Sequence, residues 1–142
     1  MNVDTITACT EPELPSAADV ASLYAAVGWT AYTRDLDALM SGLRGSLRVV
    51  VAHSARSLVG LARVVGDGAT ICYLQDVLVH PDARRQGVGG QLVREAFAPF
   101  GAVRQHVLIT DEENEQKAFY ESLGFAQLGE GVPGRAFVRF AA

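Results

Sequence analysis

The most constraining feature of the sequence is residues 75–97, where an apolar β-strand pattern leads through a turn and a glycine-rich basic loop into an amphipathic helix pattern. The loop contains three glycines, Gly87, Gly89 and Gly90. Glycine removes the side chain where a backbone must approach a ligand closely. The start of the helix directs free N–H groups and a positive dipole end at the same place, and Arg84 and Arg85 add full positive charge. The segment therefore predicts a site for a phosphate or pyrophosphate group.

The common nucleotide-binding fingerprints do not fit this loop. A P-loop ends in Gly-Lys-Ser/Thr, but the only lysine of the chain is Lys117. A dinucleotide-binding turn needs Gly-x-Gly-x-x-Gly, and Leu92 stands where its third glycine would be. The pattern that remains is Arg84-x-x-Gly87-x-Gly89. Taken alone, this pattern also fits an ordinary helix start with a flexible entry.

Two motifs together resemble the GCN5-related N-acetyltransferase (GNAT) family. In that family, Arg/Gln-x-x-Gly-x-Gly/Ala follows a strand and wraps the pyrophosphate of coenzyme A. The second motif is Phe119-Tyr120 followed by Gly124-Phe125, which is similar to the family's late helix and turn, Phe/Leu-Tyr-x-x-x-Gly-Phe. The resemblance spans residues 58–125. Because both motifs occur in the family's order, they are far more specific than a glycine-rich loop alone.

The resemblance implies that acetyl-CoA is the co-substrate. No metal is predicted, because the three histidines are scattered and neither cysteine belongs to a metal-ligand cluster. The resemblance also implies that the strand before the glycine loop splays from its neighbour, so that the pantetheine arm pairs with its backbone like an added strand. The implied cofactor-binding residues are the end of that strand and the loop: Val77, Leu78, Val79, Arg84, Arg85, Gln86, Gly87, Val88, Gly89 and Gly90.

Acetyl transfer to an amine needs a neutral nucleophile, a polarised thioester carbonyl and a proton for the departing thiolate. The resemblance implies that the backbone N–H of Leu78 or Val79 polarises the carbonyl. It also implies that Tyr120 is the catalytic proton donor, a role that suits a group with a reference pKa of about 10. The alternative is that Tyr120 only packs and hydrogen-bonds within the structure.

Asp76 is the candidate for the catalytic base. Some polyamine-type members of the family carry Glu-Asp where this chain has Gln75-Asp76, so the glutamate that would act as base there is an amide here. The alternation of Asp76 with Val77 and Val79 requires a bulge or a turned face if the carboxylate is to reach an acceptor. An equally compatible alternative is a carboxylate satisfied by a nearby backbone group or arginine.

Trp29 and Tyr32 lie between two predicted helices, in a linker that borders the acceptor pocket in the family. Aromatic side chains near a pocket can stack on a substrate, so both are candidates for substrate binding; a core or dimer contact is the alternative. The implied acceptor is a primary amine of a small molecule or of a protein, attacked directly in a ternary complex, and a homodimer is left open. The competing function is a non-catalytic acyl-CoA binding or sensing domain, which would not need an acid at Tyr120.

Composition argues against other classes of partner. The net charge of −4 gives no general basic surface for nucleic acid, and no apolar run is long enough to cross a membrane. Residues 1–15 carry acids rather than a basic start, so we expect no signal peptide and a cytoplasmic location. Cys9 and Cys72 stand in separate strand-like runs, which predicts two buried, reduced thiols.

A length of 142 residues predicts a single domain, residues 1–142, built on one core. The predicted order β-α-α-β-β-β-α-β-α-β-β indicates an α/β (α+β mixed) sheet flanked by helices. The resemblance implies that this sheet is mostly antiparallel and splays between its fourth and fifth strands. Strands are predicted at residues 3–9, 47–53, 58–65, 69–79, 103–110, 125–128 and 135–140, and helices at residues 17–27 (capped by Ser16), 34–43 (capped by Thr33), 88–97 and 113–123.

Overall fold

The computed structural model describes residues 1–141, which fall into two compact units that divide after Ile109. The second unit contains the helix α5 (Asn114–Ser122). The elements of the first unit are β1 (Thr5–Cys9), α1 (Ala17–Ala26), α2 (Thr30–Thr33), α3 (Leu36–Arg44), β2 (Arg48–Ser54), β3 (Ser57–Gly66), β4 (Ile71–Val79), α4 (Val88–Phe97) and β5 (Gln105–Leu108), with short 3-10 helices at Pro81–Ala83 and Ala98–Phe100.

The strands of the first unit form one mixed sheet in the order β1-β2-β3-β4-β5. Each neighbouring pair from β1 to β4 is antiparallel, whereas β4 and β5 are parallel. A parallel pair needs a crossover connection, and α4 lies within that connection. The predicted class, a mixed α/β sheet that is mostly antiparallel and flanked by helices, is confirmed.

Alternate residues of the strands face different helices. One face carries α1 and α3, and its core comprises Val20, Leu23, Tyr24, Leu39, Leu43, Val49, Val51, Leu58, Leu61 and Leu78. The other face carries α4, whose Leu92 comes so close to β3 that its Cδ1 would stand 3.0 Å from a Cβ at Gly60. Glycine at this position therefore lets α4 pack closely on the sheet.

The helix starts follow the predicted caps only in part. The hydroxyl of Ser16 accepts a hydrogen bond from the N–H of Asp19 at 3.2 Å, so Ser16 caps α1 as predicted. The prediction of Thr33 as the next cap is wrong, because Thr33 ends the short helix α2. Asp35 caps α3 instead, accepting from the N–H of Ala38 at 3.1 Å. Aspartate is the stronger N-cap residue of the two, which accounts for the later helix start.

β4 contains a bulge at Gln75. On β3, Arg63 pairs with Asp76 but its neighbour Val64 pairs with Leu74, which leaves Gln75 as the extra residue on β4. The bulge reverses the alternation of side chains along β4. Leu74 therefore shares a face with Val64, on the α4 side, whereas Asp76 turns to the face of α1 and α3. The sequence predicts that the Asp76 carboxylate needs a bulge or a turned face to reach an acceptor, and β4 has such a bulge.

β4 continues beyond its pairing with β5. β5 pairs only with residues 71–74, whereas β3 pairs with β4 as far as Val79. In the part of the chain that the structure describes, residues 75–79 therefore have a sheet neighbour on one side only. The splay between the fourth and fifth strands is confirmed, and its open edge includes Val77, Leu78 and Val79.

The last two predicted strands, residues 125–128 and 135–140, are wrong: the structure forms no strand among the described residues there. The side chains of Phe137 and Phe140 are 89% and 87% exposed. Aromatic and β-branched residues give a strand propensity, but a strand also needs a neighbour for its backbone groups. Three glycines between the two segments adopt positive φ angles that interrupt an extended chain, namely Gly129, Gly131 and Gly134.

The two cysteines are free thiols. Cys72, on β4, is buried, as predicted. Cys9 is only half-buried, because it lies on β1, the edge strand of the sheet. Burial raises the pKa of both thiols.

Candidate active site

The glycine loop joins the open end of β4 to the start of α4. Its Gly87 has a left-handed conformation, φ 74°, at the N-cap of α4, and no described atom lies within 4 Å of the place where its Cβ would be. Left-handed backbone favours glycine, and the space beside it is open. The first hydrogen bond of α4 runs from the N–H of Gln91 to the carbonyl of Gly87. The N–H groups of residues 88–90 therefore have no acceptor within the helix and face outward as donors.

Arg84 and Arg85 precede these donors. Both side chains are exposed, and neither forms a salt bridge with a residue that the structure describes. Arg85 has a φ of 65°, which is uncommon for a residue with a Cβ. Such strain is typical of ligand-binding loops. Two arginines without a salt bridge in the described chain, a few residues before a row of free N–H groups, form a setting suited to an oxyanion.

Two predicted loop residues use their side chains elsewhere. The side-chain amide of Gln86 donates to the carbonyl of Met1 at 2.5 Å, and its oxygen accepts from the N–H of Val3 at 3.3 Å. The side chain of Val88 is buried in the core. The predicted binding of the cofactor by Gln86 and Val88 would therefore use their backbone groups.

Asp76 lies at the centre of a buried hydrogen-bond network. Its carboxylate accepts from Nε of Arg63 at 2.6 Å and from the hydroxyls of Tyr24 and Tyr32, each at 2.9 Å. Asp76 is 1% exposed and Arg63 is 7% exposed. Of the two alternatives for Asp76, the structure favours the carboxylate satisfied by an arginine. Because three donors already bond to this carboxylate and it is almost completely buried, it is poorly placed to remove a proton from a substrate.

The network keeps its tyrosines protonated. Burial raises the pKa of Tyr24, and the neighbouring Asp76 carboxylate raises it further. The same causes raise the pKa of Tyr32. Burial alone would lower the pKa of Arg63, but the charge of Asp76 and the hydrogen bond to it raise that pKa overall. Arg63 is therefore charged at neutral pH, and both hydroxyls remain donors to Asp76.

An open cleft of about 410 Å³ lies beside this network. Its lining residues are Gly28, Trp29, Thr30, Ala31, Tyr32, Arg34, Gln75 and Asp76. The ring centroids of Trp29 and Tyr32 are 6.1 Å apart, and Tyr24 packs edge-on against both rings. Trp29 is 36% exposed, so part of its ring is accessible from the cleft. Trp29 and Tyr32 thus lie at a cleft, as the sequence led us to expect; their binding of a substrate stays a prediction.

Sequence reasoning missed Tyr24 and Arg63, and it gave Gln75 no contact in the site. Arg63 did carry a signal, because it is the only charged residue in the apolar run 58–65, and a charge in such a run needs a buried partner. The side-chain amide of Gln75, the extra residue of the bulge, donates to the Tyr32 hydroxyl at 3.1 Å. Nothing in the spacing of Tyr24 indicates its bond to a carboxylate far along the chain.

In the second unit, Tyr120 lies on α5 and is 8% exposed. Its ring packs edge-on against Phe119 and Phe125, with centroids 4.9 and 6.1 Å away. No described residue hydrogen-bonds to its hydroxyl. Burial, with a smaller contribution from the Asp111 carboxylate, raises the pKa of Tyr120 to about 12. The hydroxyl is therefore protonated at neutral pH and has not been committed to a structural partner in the described chain.

Between residues 1 and 141, no three or more His, Cys, Asp or Glu side chains are grouped so that they could hold a metal ion. No helix within the same residues is both long and apolar enough to cross a membrane.

Comparison with known proteins finds acetyltransferases of the GNAT family. The family model described as an acetyltransferase (GNAT) domain matches residues 45–127. A solved GNAT-family acetyltransferase from Streptococcus pneumoniae is 35% identical, with a TM-score of 0.79, over 95% of this chain and 98% of that one. A histone acetyltransferase from Glycine max is 29% identical over 82% of this chain, which spans only 54% of that relative. The chain thus covers about half the length of this curated relative.

More distant structures share the fold. An aminoglycoside N-acetyltransferase solved in complex with CoA is 17% identical, with a TM-score of 0.66, over 99% of this chain and 97% of that one. At that identity the likeness concerns the fold alone.

Proposed function

This chain belongs to the GNAT acetyltransferase family, and we propose that it transfers an acetyl group from acetyl-CoA to a primary amine. The observation that carries the proposal is the open end of β4, which leads directly to the free N–H groups at the start of α4. An acyl-CoA has the two features that match such a surface: an amide-containing arm that can pair with a strand edge and a pyrophosphate for a helix start.

In the proposed complex, the pantetheine arm pairs with the backbone of residues 77–79. The pyrophosphate accepts hydrogen bonds from the N–H groups of residues 88–90, and Arg84 and Arg85 neutralise part of its charge. The aminoglycoside N-acetyltransferase that shares this fold was solved with CoA, which supports the choice of cofactor.

The proposed reaction is a direct attack within a ternary complex. The neutral amine nitrogen bonds to the thioester carbonyl carbon, the C–S bond breaks, and the amine loses a proton to water. The backbone N–H of Leu78 or Val79 polarises the carbonyl oxygen. For Tyr120 we keep the place at the departing sulfur that the resemblance implies: its hydroxyl donates a hydrogen bond to the sulfur, which then takes its proton from water. We assign Asp76 to positioning of the cleft wall, through Tyr32, rather than to proton removal.

The direct test is a turnover screen in which acetyl-CoA is offered with a panel of primary amines and free CoA thiol is measured. Acetylation of at least one amine, confirmed by the mass of the product, is expected. The competing function, a non-catalytic acyl-CoA binding domain, predicts that acetyl-CoA binds but that no amine in the panel is acetylated.

Replacement of Gly89 by glutamate should remove most of the stabilisation that acetyl-CoA gives on heating. A native-state ligand at about 100 times its Kd stabilises a protein by about 2.7 kcal/mol. A carboxylate at this position repels the pyrophosphate and fills its space. The variant itself should fold, since an acidic residue in the first turn of a helix is favourable. Melting temperatures with and without acetyl-CoA give the measurement.

Gly101→Glu is the matched control for this variant. Gly101 lies in an exposed turn beyond the other end of α4, about 15 Å from the loop by the rise of the helix. Nothing lies within 4 Å of its Cβ position, so the substitution should be tolerated. The control should respond to acetyl-CoA as the wild type does. An equal response from Gly89→Glu would remove the glycine loop from the proposed cofactor site.

Replacement of both Arg84 and Arg85 by alanine should weaken acetyl-CoA binding roughly tenfold, because two exposed charge contacts contribute about 1 kcal/mol or less each. The salt dependence of binding should also flatten, since screening acts on exposed charges. Isothermal titration calorimetry at two salt concentrations measures both effects. Arg56→Ala, in the exposed β2–β3 turn, serves as control. Unchanged affinity in the double variant would mean that the two arginines are solvated surface residues.

A further inference from the structure

We infer that the cleft beside Trp29 and Tyr32 selects an amine that also carries an oxyanion, a carboxylate or a phosphate-like group, and that Arg34 binds this group. The inference rests on the proposed function, since it assigns a class of acceptor to the same site. Its basis is the charge of the cleft lining, which includes an arginine without a salt bridge but no unpaired carboxylate. A polycationic acceptor would require unpaired carboxylates.

The cleft offers no free negative charge among its lining residues. Its one carboxylate, Asp76, lies 2.6 Å from Nε of Arg63 and also accepts from two tyrosine hydroxyls. The side-chain amide of Gln75 is already bonded to the hydroxyl of Tyr32. The Asp76–Arg63 pair is therefore neutral as a unit. An amine with several positive charges would find no carboxylate here with which to pair.

Arg34 gives the cleft an uncompensated positive charge. It lines the cleft, its side chain is exposed, and it forms no salt bridge with any residue of the described chain. The adjacent Asp35 forms no salt bridge with Arg34; one of its carboxylate oxygens accepts a hydrogen bond from the N–H of Ala38 at the start of α3. A guanidinium group presents paired N–H donors that match a carboxylate or phosphate, so an oxyanion is its natural partner.

The remainder of the cleft suits a flat or apolar body. The rings of Trp29 and Tyr32 are inclined by 34° to each other, and Tyr24 fixes both from behind by edge-on contacts. Partly exposed aromatic faces can stack on a planar or apolar group. An acceptor with an aromatic or aliphatic body and one oxyanion would therefore place its body on the rings and its charge at Arg34.

The test uses the fluorescence of Trp29, the only tryptophan of the chain, as a binding signal that is independent of turnover. The probes are phenylalanine, its carboxamide, its phosphonate analogue and spermidine. Phenylalanine and the phosphonate should bind about tenfold more tightly than the carboxamide, the effect of one hydrogen-bonded charge pair. A difference between these two probes identifies whether the site prefers a carboxylate or a phosphate-like group.

Arg34→Gln, which keeps a long polar side chain without the charge, should bring phenylalanine and its carboxamide to equal affinity. Arg56→Gln, an exposed arginine on the β2–β3 turn, should retain the wild-type preference. In turnover, the same substitution at Arg34 should raise KM for carboxylate-bearing amines about tenfold and leave KM for neutral amines nearly unchanged.

Several results would overturn the inference. These are equal binding of phenylalanine and its carboxamide by the wild type, tighter binding of spermidine than of either, an unchanged preference in Arg34→Gln, or no response of Trp29 to any probe. The proposed function fails in a different way: the probe preference would persist while no amine is acetylated. Conversely, acetylation of neutral amines alone would retain the function and reject the role of Arg34.

Discussion

Tyr120→Phe should lower kcat by about 100-fold or more and leave acetyl-CoA affinity nearly unchanged, if the hydroxyl assists the departing thiolate. The variant retains the ring, which packs against Phe119 and Phe125. Because no described residue hydrogen-bonds to the hydroxyl, its removal leaves no polar group of the described chain without its partner. The free energy of unfolding should therefore change by less than about 1 kcal/mol. Saturating turnover and chemical denaturation measure the two quantities separately.

The pKa of Tyr120 adds a condition on pH. With a pKa of about 12, the hydroxyl stays protonated through the alkaline range, so its ionisation should cause no fall in kcat below roughly pH 11. Complete transfer of its proton to a thiolate of ordinary pKa, about 8.5, is unfavourable in this environment. We therefore expect the hydroxyl to act mainly by hydrogen bonding to sulfur as charge develops on it.

Tyr73→Phe is the matched control, since Tyr73 lies on the part of β4 that pairs with β5 and outside the late motif. It should retain a kcat close to that of the wild type. A normal kcat in a folded Tyr120→Phe variant would exclude Tyr120 from the mechanism. A water molecule or the acceptor amine itself would then have to stabilise the departing sulfur.

The parts of the site that follow from local chemistry could be predicted from the sequence. The sequence predicts a helix at residues 88–97 after a glycine loop. α4 has these bounds, and it begins at Val88 because glycine favours the left-handed conformation of the N-cap Gly87. Ser16 caps α1 for a similarly local reason: its hydroxyl reaches an N–H three residues on. In such cases the residue that determines the geometry lies within one turn of the residue that it positions.

The Asp76 network could not be predicted in the same way, because it depends on sheet register. Arg63 meets Asp76 only through the pairing of β3 with β4, and the bulge at Gln75 decides which face Asp76 occupies. A register shift by one residue would move Asp76 to the other side of the sheet. The hydroxyls of Tyr24 and Tyr32 then arrive from α1 and α2, whose packing is a tertiary property.

In the C-terminal segment, the sequence predicts an element that the structure does not form. The aromatic and β-branched residues within 135–140 predict a strand, yet the described chain forms none there. Strand propensity reports that side chains suit an extended chain, but it does not provide a hydrogen-bonding neighbour. The same reasoning explains why the central strands were predicted well: β2 and β3 each have neighbours on both sides.

Asp76→Ala should reduce the free energy of unfolding by about 3–5 kcal/mol, the usual effect of breaking a buried ion pair by removing one partner. Arg63, only 7% exposed, would keep its charge without a carboxylate, and the hydroxyl of Tyr24 would lose its acceptor. Chemical denaturation measures the loss. Asp37→Ala, an exposed acid in the first turn of α3, is the control and should change the stability by about 0.5 kcal/mol or less.

A double variant, Arg63→Met with Asp76→Leu, separates the charge from the packing. It should be more stable than Asp76→Ala, since no unpaired charge remains buried and replacement of a buried ion pair by apolar residues is often close to neutral. If the double variant is no more stable, the network stabilises the fold through the tyrosine hydroxyls rather than through the ion pair.

Asp76→Asn then distinguishes a positioning residue from a base, because it keeps the shape of the side chain and removes its charge. If Asp76 positions Tyr32 and Trp29, the acceptor KM should rise severalfold and the fluorescence of Trp29 should shift. The acidic limb of the pH profile of kcat, which is the fall of kcat at low pH, should keep its midpoint. If Asp76 were the base, kcat should fall by about 100-fold or more and the acidic limb should disappear. The three donors on this carboxylate and its burial lead us to expect the first outcome. A lost acidic limb in a folded Asp76→Asn variant would restore Asp76 as the base.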